Sequence, residues 1–215
     1  MDVIDSARKS ILLAFIALPL VLASTTALLA LGLGNLGLFI LFLGQLVIIP
    51  AATFGLQMIS GPAFDWSKIE PSQVASIVPR DYGVERINVT PSYWSMQIVF
   101  FMSYLITNAA QIYRLPVAAG ASDWQVANRR SKALAVICVA AIILFGLLGI
   151  RWHLGGQLEN PVGLLIALLG GGGLGFLWYA FASACGARAS DIFGIIQQIL
   201  PQTTGTAMTC IYTPS

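Results

Sequence analysis

PVGLLIALLGGGGLGFLWYAFASAC (residues 161–185) contains no Asp, Glu, Lys, Arg or His. About 20 mostly apolar residues suffice to cross the ~30 Å hydrocarbon core of a bilayer, and this run is long enough to do so as a helix. Pro161 suits the first helical turn, where its missing N–H has no partner to lose. Within the run, Gly163, Ala167, Gly171 and Gly175 recur every four residues along one face, and Gly170, Gly172 and Gly173 widen the strip. Lipid tails match Leu in apolarity, so helices associate there by packing, and small residues at this spacing let two backbones approach. Four consecutive glycines cost about 1 kcal/mol each relative to Ala in water. A close helix neighbour, in the same chain or another, is the expected compensation. The sharper alternative is an unwound ligand-binding loop, which no nearby charge supports.

Four further apolar runs lie upstream. The first, 11–31, follows Arg8 and Lys9 and breaks at Gly32-Leu33-Gly34-Asn35, a turn cluster. The run resembles a signal peptide in its basic start and its Val21-Leu22-Ala23, but exceeds the 7–15 apolar residues of such segments and reads as a retained span. The second, 36–59, stops at Ser60-Gly61-Pro62 and forms an uncharged hairpin with the first. Ala51 and Gly55 repeat the small-residue spacing in it, and Pro19 and Pro50 are expected to kink these two spans. The third, 92–113, is opened by Tyr93 and Trp94 and closed by Tyr113 and Arg114, which fits an interfacial aromatic belt. A polar loop over 115–132 leads to the fourth, 133–150, which ends at Arg151-Trp152-His153.

Two segments differ. Residues 60–91 mix seven charges with four prolines, form the one sizeable extramembrane stretch, and lack Cys or His. Such a stretch is too short for a core of its own and is expected to pack on the bundle or a partner. In the tail, Ile192, Phe193, Ile195, Ile196, Ile199 and Leu200 fall at helical spacing over 190–200. Ser190 or Asp191 is the candidate cap and Pro201 the stop, giving an interfacial amphipathic helix too short to span. The reading is therefore all-α: one transmembrane domain over 1–215, a five-helix bundle with a short tail helix.

Composition agrees. The 215 residues are 57% hydrophobic and 9% charged, where a soluble domain has about a quarter charged. That excludes a disordered chain, and a net charge of +2 excludes a basic-patch nucleic-acid binder. Lys and Arg number six on one side of the five spans and five on the other, too even to orient the chain, although the 114–132 loop is the densest basic patch and points weakly to the cytosol. Asn88-Val89-Thr90 matches a glycosylation sequon that Pro91 is expected to block.

The chemistry is mostly absent. No span holds an ionisable residue well inside it, and such residues mark proton relays, ion pathways and voltage sensors. Gln45, Gln57, Gln97, Asn108 and Gln111 remain as amides in or near the spans. They are expected to hydrogen-bond between helices, at about 0.6–2 kcal/mol each; the alternative is a pathway for a polar solute. The single histidine, His153, has no cluster of ligands with which to hold a metal. No nucleophile elbow or zinc-protease motif occurs, and Cys138, Cys185 and Cys210 follow no framework spacing. No catalytic residue, cofactor or metal is expected.

Gly34-Asn35-Leu36-Gly37 ahead of the second span, Pro91-Ser92-Tyr93-Trp94 at the third, Asn108-Ala109 within it and Asp191-Ile192-Phe193-Gly194 in the tail together resemble uncharacterised multi-span membrane proteins of large double-stranded DNA viruses that infect algae and protists. The resemblance implies a protein of the virion's internal membrane, in a family with no established catalytic residues. The functional expectation is a structural or assembly component. Its partners would be the bilayer and other membrane or capsid chains, or further copies of itself, and not nucleic acid. A passive channel or carrier for a small neutral solute and a non-catalytic accessory subunit are the alternatives.

Overall fold

The computed structural model describes residues 2–63, 91–116, 123–154 and 161–193, and every regular element among them is helical. Helix α1 (Asp2–Leu33) ends in two backbone bonds, Gly34 N–H to Leu31 O and Asn35 N–H to Ala30 O. This is the left-handed helix stop that glycine permits, and Gly34 has φ +58°. Asn35 then caps α2 (Leu36–Leu43), its Oδ1 accepting from Leu38 N–H at 3.1 Å. The turn cluster thus reverses the chain in two residues.

Helix α2 runs through a π-helical turn, Gly44–Ile48, into α3 (Ile49–Ala63). Here Ile49 N–H reaches back five residues to Gly44 O. Pro50 follows directly, and a proline ring would clash with the carbonyl four residues earlier in a tight α-helix. The widened turn gives it room. The expected stop at Ser60-Gly61-Pro62 is not where the helix ends, since α3 continues to Ala63; residues 64–90 of the expected extramembrane stretch lie outside the described residues.

Helix α4 (Tyr93–Arg114) is the axis of the bundle. Ser92 caps it through Ser95 N–H, and every residue from Trp94 to Phe100 is buried. Helix α6 (Pro161–Ala184) packs along it on one side, α5 (Asp123–Leu154) on a second, and α1 with α2 and α3 on the rest. The α5 contact face is Ala133, Ala140, Leu144, Leu148 and Arg151. Ala133 packs against Ile112, and Arg151 reaches Ser92, so α5 runs antiparallel to α4. The polar loop expected over 115–132 is shorter than read: α5 is already helical from Asp123. Its first turns are polar, and a helix that extends past a hydrocarbon core needs no apolar surface there.

The tail also departs from expectation. A four-residue helix, α7 (Ala187–Ser190), precedes Asp191, and 191–193 are not helical. Residues 194–200 of the expected tail helix lie outside the described residues.

Three helical stretches are long and apolar enough to cross a membrane: Leu36–Leu56, Asp123–Trp152 and Pro161–Ala184. They mark the chain as an integral membrane protein. Their outward faces carry Phe54, Ile142, Phe145, Leu169 and Leu177, all more than half exposed. The expectation was five spans. Helix α4 falls short because Ser95, Gln97, Ser103, Thr107, Asn108 and Gln111 dilute its apolarity, which a helix enclosed by its neighbours can carry and a lipid-facing one cannot. On α1, the apolar helix among the described residues is Ala17–Leu33.

The burial pattern gives a direct test. Cys138 is exposed on α5, roughly 9 Å of helix beyond Lys132 on the apolar side, whereas Cys185 is exposed just past the end of α6. In intact membranes of a Cys210→Ser background, a water-soluble maleimide applied to both faces should label Cys185 and spare Cys138. Equal labelling would place α5 outside the bilayer.

Candidate functional site

The small-residue face of α6 meets α4. Gly163, Ala167, Gly171, Gly175, Tyr179 and Ala182 are its buried residues. A Cβ at Gly171 would stand 2.8 Å from Met96 O, and one at Gly175 would stand 2.6 Å from Phe100 O and 2.9 Å from Ser103 Cβ. Glycine is therefore required by contact at these two positions. Gly170 and Gly172 have room for ordinary van der Waals contact, and a Cβ on Gly173 would meet nothing within 4 Å. Ser103 Oγ donates to Gly172 O at 2.7 Å, a bond that only the close approach of the two backbones allows. In contrast, Ala51 is exposed and a Cβ on Gly55 would meet nothing within 4 Å, so that face of α3 points away from the bundle.

Four of the five amides separate into three cases, and the side chain of Gln57 lies outside those described. Asn108 is fully buried and its Nδ2 donates to Ser190 O at 2.8 Å. Gln45, in the π-helical turn, and Gln97, on α4, are both fully buried, and none of their amide atoms has a hydrogen-bond partner in the protein. Gln111 is exposed in the last turn of α4. Gln97, Tyr104, Asn108 and Gln111 fall on one helical face by their spacing of seven, four and three. Tyr104 Oη is likewise buried without a hydrogen bond, as is Thr53 Oγ1 on α3. The π-helical turn lies against this face: a Cβ on Gly44 would approach Phe100 Cζ at 2.6 Å, one turn from both Gln97 and Tyr104. A buried polar group without a partner costs on the order of 1–3 kcal/mol, so the amides of Gln45 and Gln97 and the hydroxyls of Thr53 and Tyr104 hold unused hydrogen-bonding capacity.

Several residues of consequence were not singled out as site residues in the sequence. Asn35 Nδ2 donates to Ile192 O at 2.9 Å, so the residue that caps α2 also holds the segment after α6. Asp191 is fully buried there, its carbonyl 2.8 Å from where a Gly37 Cβ would lie. Trp178 Nε1 donates to Ile40 O at 2.9 Å, joining α6 to α2 where the π turn begins. The rings of Tyr104 and Tyr179 meet edge to face at 5.3 Å. At the other end of the bundle Arg151 is 1% exposed, donates to Ser92 Oγ at 3.2 Å and lies 4.6 Å over the Trp94 ring. Trp94 in turn stacks on Phe15 and donates to Phe15 O. The available signal is placement: Asn35 stands at the chain reversal before α2, and Arg151 ends an apolar run.

Among the described residues no group of three His, Cys, Asp or Glu is placed to hold a metal. No protein family, curated protein or solved structure matches the chain.

Proposed function

We propose that this protein is a structural component of a membrane: a five-helix bundle that docks onto other protein chains, in the setting of a virion's internal membrane that its short motifs suggest. The observation that carries the reading is the closure of the bundle at the α2 end. Asn35 on one helix hairpin and Asn108 on the central helix both donate to carbonyls of the 190–192 segment. Side chains that tie the segment after α6 to the helices beside it serve rigidity at that end. The outward Ala51–Gly55 face of α3, with nothing of this chain against Gly55, supports contact with another helix. Purification from the native source in gentle detergent, with mass determination and identification of co-purifying chains, is the test. A defined set of partners is the expected result. A protein that runs alone as a symmetric oligomer removes the scaffold reading.

A second reading has its own observation. Gln45, Thr53, Gln97 and Tyr104, buried without protein partners, support passage of a small neutral solute between the 44–63 stretch and α4. Liposomes containing the protein would then pass glycerol or urea faster than empty ones, and a Gln45→Leu, Gln97→Leu variant would abolish the difference. Equal flux with and without protein removes this reading and leaves the first intact.

A further inference from the structure

We propose that the corner where α4 ends and α5 begins binds the headgroups of anionic phospholipids and seats that end of the bundle on an acidic leaflet. The corner is assembled from two helices by contacts that bring its cations together. Arg129 donates through Nη2 to Leu115 O at 2.6 Å and through Nη1 to Pro116 O at 3.3 Å. Arg130 lies 5.8 Å over the Tyr113 ring. Arg114, between these contact points, and Arg130 and Lys132 are all exposed. Asp123 is the one carboxylate of the corner among the described residues.

Depth argues for lipid. From Ala133 to Ile150 α5 has about 18 uncharged residues, roughly 27 Å of helix and close to one hydrocarbon thickness. Lys132, Arg130 and Arg129 therefore fall at headgroup level, and Arg114 is held beside them. Tyr113, under Arg130, is 43% exposed at the same level, as an amphipathic aromatic ring is at an interface.

The opposite end is built otherwise. Arg151 closes the uncharged stretch of α5 there, but it is turned into the bundle onto Ser92 and Trp94 and is 1% exposed. Arg8 and Lys9 on α1 are accompanied by Asp2 and Asp5 on the same helix. In sequence, Lys68, Arg80 and Arg86 between α3 and α4 are outnumbered by Asp65, Glu70, Asp81 and Glu85. Lys and Arg counts alone are nearly even between the ends. Once carboxylates are included and the buried Arg151 is set aside, the net positive charge of the sequence falls at the α4–α5 end. Attraction to an anionic surface follows that local charge, at about fivefold in affinity per Lys or Arg near the surface. The inference rests on α5 crossing the bilayer and is independent of the number of spans and of the docking reading.

The experiment uses the full chain reconstituted with equal phosphatidylcholine and phosphatidylglycerol, released from detergent, with retained lipids counted by native mass spectrometry. Phosphatidylglycerol should be enriched at least fivefold among the adducts. The enrichment should fall to parity in an Arg114→Gln, Arg130→Gln, Lys132→Gln variant and persist in Arg8→Gln, Lys9→Gln. Arg129 is left in place because it ties the two helices. Should the triple variant fail to fold, Arg130→Gln and Lys132→Gln taken singly, together with loss of enrichment in the wild type at high salt, serve the same purpose. Parity in the wild type overturns the proposal, as does enrichment that survives the triple change. Displacement of the lipid by inorganic phosphate or a short oligonucleotide at equal charge also overturns it, in favour of a soluble polyanion.

Discussion

Gly175→Ala is expected to destabilise the bundle by about 1–3 kcal/mol, and Gly175→Leu by more. The added methyl would sit 2.6 Å from Phe100 O and 2.9 Å from Ser103 Cβ. The first of these is backbone, which cannot rotate away, so the two helices must separate. Separation would also lengthen the Ser103–Gly172 hydrogen bond at 2.7 Å, which adds its own loss. Gly171→Ala, 2.8 Å from Met96 O, should behave in the same way. Gly173→Ala is the control. It adds the same methyl on the same helix with nothing within 4 Å, and alanine is the better helix former, so its effect should be nil or slightly stabilising. Equilibrium unfolding of each variant in bicelles measures the difference. If Gly173→Ala and Gly175→Ala lose equal stability, the close α4–α6 contact is not what these glycines serve.

That pair of glycines also shows how far the sequence could be read. A four-residue spacing of small side chains announces a face that another helix approaches, and the buried face of α6 is that set of positions. It does not announce which helix approaches, because the partner face on α4 (Met96, Phe100, Ser103) carries no matching pattern. The same spacing at Ala51 and Gly55 points away from the bundle, and nothing in the local sequence distinguishes the two cases. The amides show a similar boundary. Gln97, Asn108 and Gln111 share one helical phase, which periodicity reveals. Gln111 is nonetheless exposed, because phase gives direction around an axis and not distance from its end. Helix α5 begins at Asp123 inside what read as a loop, since apolarity marks where a helix meets lipid and not where it starts. The number of apolar spans is limited for a related reason: α4 is enclosed, so it has no need of the composition by which a lipid-facing span is recognised.

Asn35→Ala is expected to cost about 2–4 kcal/mol, more than a cap alone. Two losses combine. The Oδ1 cap on Leu38 N–H, at 3.1 Å, contributes about 1 kcal/mol at a typical helix start. The Nδ2 donation to Ile192 O, at 2.9 Å, is a part-buried bond whose loss leaves a carbonyl short of a partner, at about 1–3 kcal/mol. Asn35→Asp separates them, because a carboxylate keeps the cap and cannot donate, and it would place negative charge against the Ile192 carbonyl. It should therefore lose the tie while keeping the start of α2. Asn108→Ala removes the second tie, the bond to Ser190 O at 2.8 Å. The two ties hold the same short stretch after α6, so they should be coupled. Once one is cut and the segment lifts, the other has less left to hold, and the double variant should cost less than the sum of the singles. Hydrogen exchange of the 187–193 amides reads the release directly, with protection falling in each variant while that of α4 persists. Strict additivity, or unchanged exchange after both substitutions, would mean that the segment is held by its buried Asp191 and its packing on Gly37, and that the two asparagines are incidental to closing the bundle.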